Sequence, residues 1–201
     1  MFIVKYSGPF GYIKPWTAVR DDETFSQQFL TPSIIEGMEK KLFPELLNEK
    51  GIKKIIRHRL TYSAMDRQQE VTQPKGRKGK FKNDFELINA TVNTSIINRR
   101  ILLNPTLYLT FEKREDAERA KTQHLCLCRN EDIILPEEEI IEVSEEEFDA
   151  PDGRFKGFEL IFGKTEDAFI VGGNRFDEGK FMYGTLKIVG NNPLKSEYEH
   201  E

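Results

Sequence analysis

The chain has little cysteine. Cys126 and Cys128 are the two thiols of 201 residues and sit one residue apart, too close for an ordinary structural bridge. That excludes a disulfide-stapled scaffold and makes a reduced, cytoplasmic setting the expectation. Long apolar runs are missing as well. No stretch approaches the ~20 residues that cross a bilayer. The N-terminus is a short strand-like run without a small-residue cleavage site, so neither a membrane segment nor a signal peptide is expected. Gly172-Gly173-Asn174-Arg175 is rich in glycine, but no phosphate-loop or dinucleotide-binding pattern surrounds it. Histidine is scarce, with three in the chain. His58 alternates with Arg57 and Arg59, which suits an RNA contact or a surface position better than acid–base chemistry. His124, Cys126 and Cys128 form one cluster with no second ligand pair, which is not the spacing of a zinc site. The glutamate triplets at 137–139 and 145–147 point in different directions and do not make a metal cage. No catalytic residue, metal or other cofactor is expected.

Phenylalanine is plentiful, 15 of 201 residues, and a chain of this length buries a substantial core without staples. The formal charge of -4 hides a segregation. Residues 53–82 hold ten basic side chains (53, 54, 57, 59, 67, 75, 77, 78, 80 and 82) against Asp66 and Glu70. Residues 130–152 hold eleven acidic side chains and no basic one. The first segment suits a phosphate backbone. The second repels one, or docks on a basic protein.

Periodicity places a strand at Phe2–Tyr6, ended by Gly8-Pro9. Thr31-Pro32-Ser33 opens a helix, with Thr31 as the cap and Pro32 in the first turn. Ile34, Ile35, Met38, Leu42 and Phe43 fall on its inner face before Pro44 interrupts. Residues 52–63 and 85–97 read as strands and are expected to pair as a long hairpin. Its basic tip would be residues 73–80. A strand at 107–111 and a helix at 112–122 follow. Three strands (155–162, 168–171 and 181–189) come after an acidic connector, and the last residues, from Asn191, form a polar tail. The first two-thirds thus approach the β-α-β-β-α-β ferredoxin-like order of an α+β fold. Two units are expected. Residues 1–129 form the main domain, with the basic hairpin arm at about 64–84. Residues 130–201 form the acidic connector and a C-terminal β extension.

The arm is the main functional feature. Lysine and arginine release counterions from nucleic acid, and nearby Tyr62, Phe81 and Phe85 offer rings for unpaired bases. The plainer alternative is a solvated hairpin loop.

In their order, these pieces resemble a known family, the small RAMP-type subunit of CRISPR Cascade complexes, the fifth of the Cas families. The strand leading into Gly8-Pro9-Phe10, the following Lys14-Pro15-Trp16, and the helix entry Phe29-x-Thr31-Pro32-Ser33-x-x-x-Gly37 carry the resemblance. Echoes follow at His124-Leu125-Cys126-Leu127-Cys128-Arg129, at Ile133-Ile134-Leu135-Pro136, and at Met182-Tyr183-Gly184-Thr185-Leu186-Lys187-Ile188. The resemblance implies an RRM-like domain with a protruding hairpin. That domain grips the 5′ handle of the crRNA and contacts the backbone and large subunits in antiviral defence. RNA-binding residues would be Arg57, Arg59, Tyr62, Arg67, Lys75, Arg77, Lys78, Lys80, Lys82 and Arg129. Relatives of the I-C type also cut precursor RNA, without metal, using a tyrosine at the end of the first helix. Phe43 stands there in this chain and cannot transfer a proton. A non-catalytic RNA-binding role is therefore the expectation. Endoribonuclease activity through Tyr62 and His58 is the alternative, and a scaffold docking through its acidic segment a third.

Overall fold

A computed structural model describes residues 1–17, 23–71, 77–83, 86–92 and 96–190, with backbone alone for 77–92. The expected polar tail and Lys75 lie outside the described residues. The elements, in chain order, begin with strands β1 (Phe2–Ser7), β2 (Phe10–Gly11) and β3 (Glu23–Phe25), then helix α1 (Pro32–Leu42) and a 3-10 turn (Pro44–Leu46). Next come β4 (Ile55–Thr61), β5 (Ala64–Val71), β6 (Arg77–Asn83), β7 (Glu86–Val92), β8 (Ile96–Leu103) and β9 (Thr106–Phe111). They are followed by α2 (Arg114–Ala120), β10 (Leu125–Cys126), β11 (Ile133–Glu142) and α3 (Glu145–Asp149). The last three are β12 (Gly157–Phe162), β13 (Phe169–Gly173) and β14 (Phe181–Val189). No helix among the described residues is long and apolar enough to cross a membrane.

Eight strands form the main sheet in the order β10-β11-β1-β9-β4-β12-β14-β13. The alternation of β1 and β9 sorts its two faces. Val4, Tyr6, Leu107, Leu109 and Phe111 point to one side, where they pack with Ile35, Leu42 and Phe43 of the α1 segment and Ala117 and Ala120 of α2. Ile3 and Tyr108 point to the other side, under Phe148 of α3 and Phe155. Tyr6 closes the first core by donating its hydroxyl to the Ala120 carbonyl, 2.8 Å away. The fold is mixed α+β, and its main-sheet pairings are antiparallel.

Helix α1 begins where the sequence places it, but not by the expected cap. Thr31 holds the extended N-cap backbone and Pro32 the first turn, yet the Thr31 side chain makes no capping bond. Its hydroxyl lies 3.4 Å from Ser33 Oγ instead. Two carboxylates on α1 then organise the return into β4. Glu36 accepts from the Gly51 amide at 3.0 Å and from Lys40 Nζ at 2.9 Å. Glu39, fully buried, accepts from the amides of Lys53, Lys54 and Ile55 at 2.6–3.1 Å. One side chain thereby satisfies three backbone donors that the interior would otherwise leave bare.

Two sequence expectations are corrected. The strand at 55–61 does not pair with residues 85–97. It needs both neighbours, because Ile55, His58 and Leu60 are buried under the helices, and it takes β9 and β12. The hairpin partners are β5 and β8, in register from Ala64↔Leu103 to Val71↔Ile96, and β6 pairs with β7 as a separate ribbon. Residues 77–80, expected at a tip, are therefore strand. The acidic segment is likewise no connector. It supplies β11, which lies between β10 and β1, and the short helix α3. Three of its carboxylates pair with cations outside or beside it: Asp132 with Arg129, Glu137 with Lys5, and Asp149 with Arg57, Arg59 and Lys187.

Replacing Glu39 by alanine is expected to lower unfolding free energy by about 3 kcal/mol, the cost of stranding several buried donors of a charge-assisted site. Urea denaturation of the variant beside Glu39→Gln, which keeps one acceptor oxygen, checks this.

Candidate nucleic-acid interface

Strand alternation divides the cations of the arm between two faces. On one, Arg67 and Arg100 stand directly opposite each other. Arg67 is exposed, and its Nε donates to Asn98 Oδ1 at 2.8 Å. Arg100 pairs with Glu23 at 2.6 Å and lies 5.9 Å from the ring centroid of Phe25, which is 57% exposed. On the other face, Arg99 pairs with Glu70. Arg129, arriving from the loop after β10, donates to Gln68 Oε1 at 3.1 Å and to both carboxylate oxygens of Asp132 at 2.7 and 2.8 Å. Both guanidinium groups stand over the buried Tyr12 ring, at 4.9 and 5.4 Å. The structure thus brings both Arg67 and Arg129 to β5, but on opposite faces of it. It adds Arg99 and Arg100, which the sequence reading missed. Adjacent arginines opening the short apolar run before Asn104-Pro105 were the available signal.

Arg77, Lys78, Lys80 and Lys82 all lie on β6. The register sets Arg77 against Val92, Lys78 against Thr91 and Lys80 against Ile88, with irregularities between.

A second cationic surface lies at the start of α1. A cavity of about 190 Å³ is walled by Lys14, Trp16, Thr31, Ser33, Cys128 and Gly172. A neighbouring one of about 280 Å³ shares Ile34 and Cys128 with it and adds Lys41 and Arg175. Lys14, Lys41 and Arg175 are exposed, and Trp16 keeps 53% of its surface free. Gly37 leaves room here for a flexible side chain. A β-carbon on it would come within 2.0 Å of Arg175 Nη2, so the missing side chain lets the guanidinium lie on the helix. Lys14-Pro15-Trp16, Thr31-Pro32-Ser33 and Gly37, separate in sequence, therefore frame one surface.

No family model and no curated protein matches the chain. A solved structure does. The fold is shared with a chain of a "CRISPR RNA-guided surveillance complex". The TM-score is 0.50 at 11% identity, and the match covers 94% of this chain and 88% of that one. At that identity the likeness to the surveillance-complex chain is one of fold.

Three of the sequence-derived RNA contacts are placed differently by the structure. Arg59 is fully buried. Its Nη1 donates to the Phe148 and Phe155 carbonyls, both at 2.6 Å, and its Nη2 to Asp149 at 2.8 Å and Glu159 at 3.0 Å. Arg57 is clasped by the same two carboxylates at 2.6–3.0 Å. Neither charge faces outward toward a phosphate. Tyr62 lays one ring face on Phe158, with centroids 6.0 Å apart and planes 11° apart, so that face is closed to a base.

Arginine hydrogen bonds and the neighbouring positive charge hold the Asp149 carboxyl well below the usual carboxylate range, and Glu159 is also lowered despite its burial. A depressed folded-state value contributes stability that is full above the unfolded value near pH ~4 and is lost as pH falls below it. Stability is therefore expected to drop from about pH 5 downward. Asp149→Asn should be less stable at pH 7 and show a shallower acid slope. Denaturation midpoints measured from pH 7 to 3 check both.

Proposed function

We propose that this protein is an RNA-binding subunit of a CRISPR Cascade-type effector complex, holding the 5′ handle of the crRNA and contacting the backbone and large subunits. The observation that carries the proposal is the fold shared with a surveillance-complex chain over nearly the whole length of both. The β-α-β-β-α-β frame β1-α1-β4-β9-α2-β11 supports an RRM-like domain, since its strands lie in the sheet order β11-β1-β9-β4. We assign the arm to the hairpin β5–β8 and the ribbon β6–β7, and four of the ribbon's basic residues lie on one strand.

The work assigned to the protein is positional. Arg67, Arg77, Lys78, Lys80 and Lys82, with Lys75 two positions before Arg77 in sequence, take the phosphate backbone. Trp16 offers an open ring for a splayed base, flanked by Lys14, and this surface joins the arm as a second grip. Arg129 acts by holding β5 through Gln68. The soluble, cytoplasmic setting belongs to the same proposal.

Cleavage is not favoured by the side chains at hand. Phe43 is a fully buried phenyl ring beneath Lys54 and Arg119, at the helix end where a cutting relative would carry tyrosine. His58 is buried against Phe162, and desolvation pushes its imidazole down to about 4.

Reversing the charge of Lys75, Arg77, Lys78 and Lys80 together is expected to weaken binding of repeat-derived RNA by at least about a hundredfold at low salt and to flatten the dependence of affinity on salt. Filter binding across a salt series checks this. Unchanged affinity and slope would remove the arm from the RNA interface. Incubation of the wild-type protein with repeat RNA in EDTA, yielding one discrete product, would restore the endoribonuclease reading.

A further inference from the structure

The hairpin β5–β8 belongs to a second sheet, with β2 and β3, and not to the main one. The two sheets meet at a root. There the Ser63 amide donates to the Leu103 carbonyl, the Asn104 amide to the Pro9 carbonyl and the Gly8 amide to the Pro105 carbonyl. Beyond the root, among the described residues, one hydrogen bond joins β5 or β8 to any residue after Phe111. It runs from Arg129 Nη1 to Gln68 Oε1, at 3.1 Å.

The loop that carries Arg129 is fastened to the body. The Leu127 amide donates to the Asp132 carbonyl at 3.0 Å, and the Asp132 amide to the Arg129 carbonyl at 3.1 Å. Leu127 is buried and fills the space that Gly11 leaves, since a β-carbon there would collide with it. Asp132 is fully buried, and its carboxylate takes Arg129 Nε and Nη2. The charge of Arg129 is therefore spent inside the loop, on a bidentate partner. Its guanidinium also stands over Tyr12, whose hydroxyl donates to Thr24 of β3, the strand beside β8. Gln68 lies on the face of β5 opposite to Arg67 and Arg100. The grip thus comes from behind and stays clear of that cationic face. Cys128 and Asn130, on either side of Arg129, wall the larger cavity at α1 together with Lys41 and Arg175. One short loop touches both cationic surfaces.

We propose that residues 127–132 couple the arm to the α1 surface, with Arg129 as the latch that fixes the angle of the hairpin. Arg129 is then a positioning residue and meets no phosphate. Its use in a two-point grip rests on the RNA-binding role proposed above, whereas the latch itself does not. A polyanion held by both surfaces needs them at one spacing, and a free hinge at the root costs it affinity.

Trp16 is the one tryptophan of the chain, so its emission reports on the α1 surface. In a Cys126→Ser, Cys128→Ser background, an acceptor dye on Val71→Cys, at the exposed end of β5, reads the distance between the surfaces by time-resolved energy transfer. The parent is expected to give one narrow distribution. Gln68→Leu, which leaves Arg129 and Asp132 intact, should broaden it about twofold or more. Gln68→Glu, which offers the latch a charged acceptor, should keep it narrow. Arg129→Ala should broaden it as well, and weaken binding of repeat-derived RNA about tenfold with the salt slope unchanged. A distribution unmoved by Gln68→Leu overturns the latch. A slope flatter by about one in Arg129→Ala overturns the positioning role, because Arg129 then meets a phosphate. A wild-type chain that binds no RNA removes the RNA reading alone, and the distances still decide the latch. The Gln68 pair decides it even if Arg129→Ala does not fold.

Discussion

The sheet is continuous because two arginines hold it together where its ladder does not. Between β4 and β12 the backbone contributes one registered pair. The junction is completed by side chains: Arg57 and Arg59 from β4 reach Glu159 on β12 and Asp149 at the end of α3. Arg59 also takes two main-chain carbonyls on either side of the 149–154 turn and lies 4.0 Å over the Phe148 ring. Breaking one partner of such a buried set leaves an uncompensated charge, a loss of ~3–5 kcal/mol in comparable sites. The same network fixes α3 on the second face of the sheet. It joins other contacts, such as Phe29 on Phe169 and Tyr62 on Phe158, in attaching the β12–β14–β13 end to the rest.

That junction also sorts the charges of the chain. The basic stretch at 53–82 divides into an inner part, consumed by carboxylates, and an outer part on β5 and β6. Part of the acidic stretch is spent in the same manner, on Arg129, Lys5 and the arginine pair. Local runs of one sign are thus in part the two halves of internal contacts. Lys14, Lys41 and Arg175, by contrast, are exposed and make no ion pair among the described residues.

Much of the frame was legible in the sequence. β1, α1, β9 and α2 follow from apolar period and from breakers such as Gly8-Pro9 and Asn104-Pro105. β5 was not, because Ala64–Val71 carries few apolar residues and gains its order from the ladder to β8. β11 was hidden by its glutamates, which look solvated until Lys5 is set beside Glu137. For the site, alternation put Arg57 and Arg59 on one face but was silent on what that face meets, since Glu159 lies about a hundred residues away. Trp16 and Gly37 were marked as a motif. Their shared surface needed Arg175 from the far end of the chain to become visible.

The carboxylate clamp on α1 has a bearing on how the chain reaches this structure. Glu39 grips amides only 14–16 residues downstream, so helix and following strand close a short loop and meet early at small entropic cost. The arginine network spans about ninety residues or more and must wait for the C-terminal strands. Contact separation therefore favours an α1–β4 unit closing before the C-terminal half of the sheet is added.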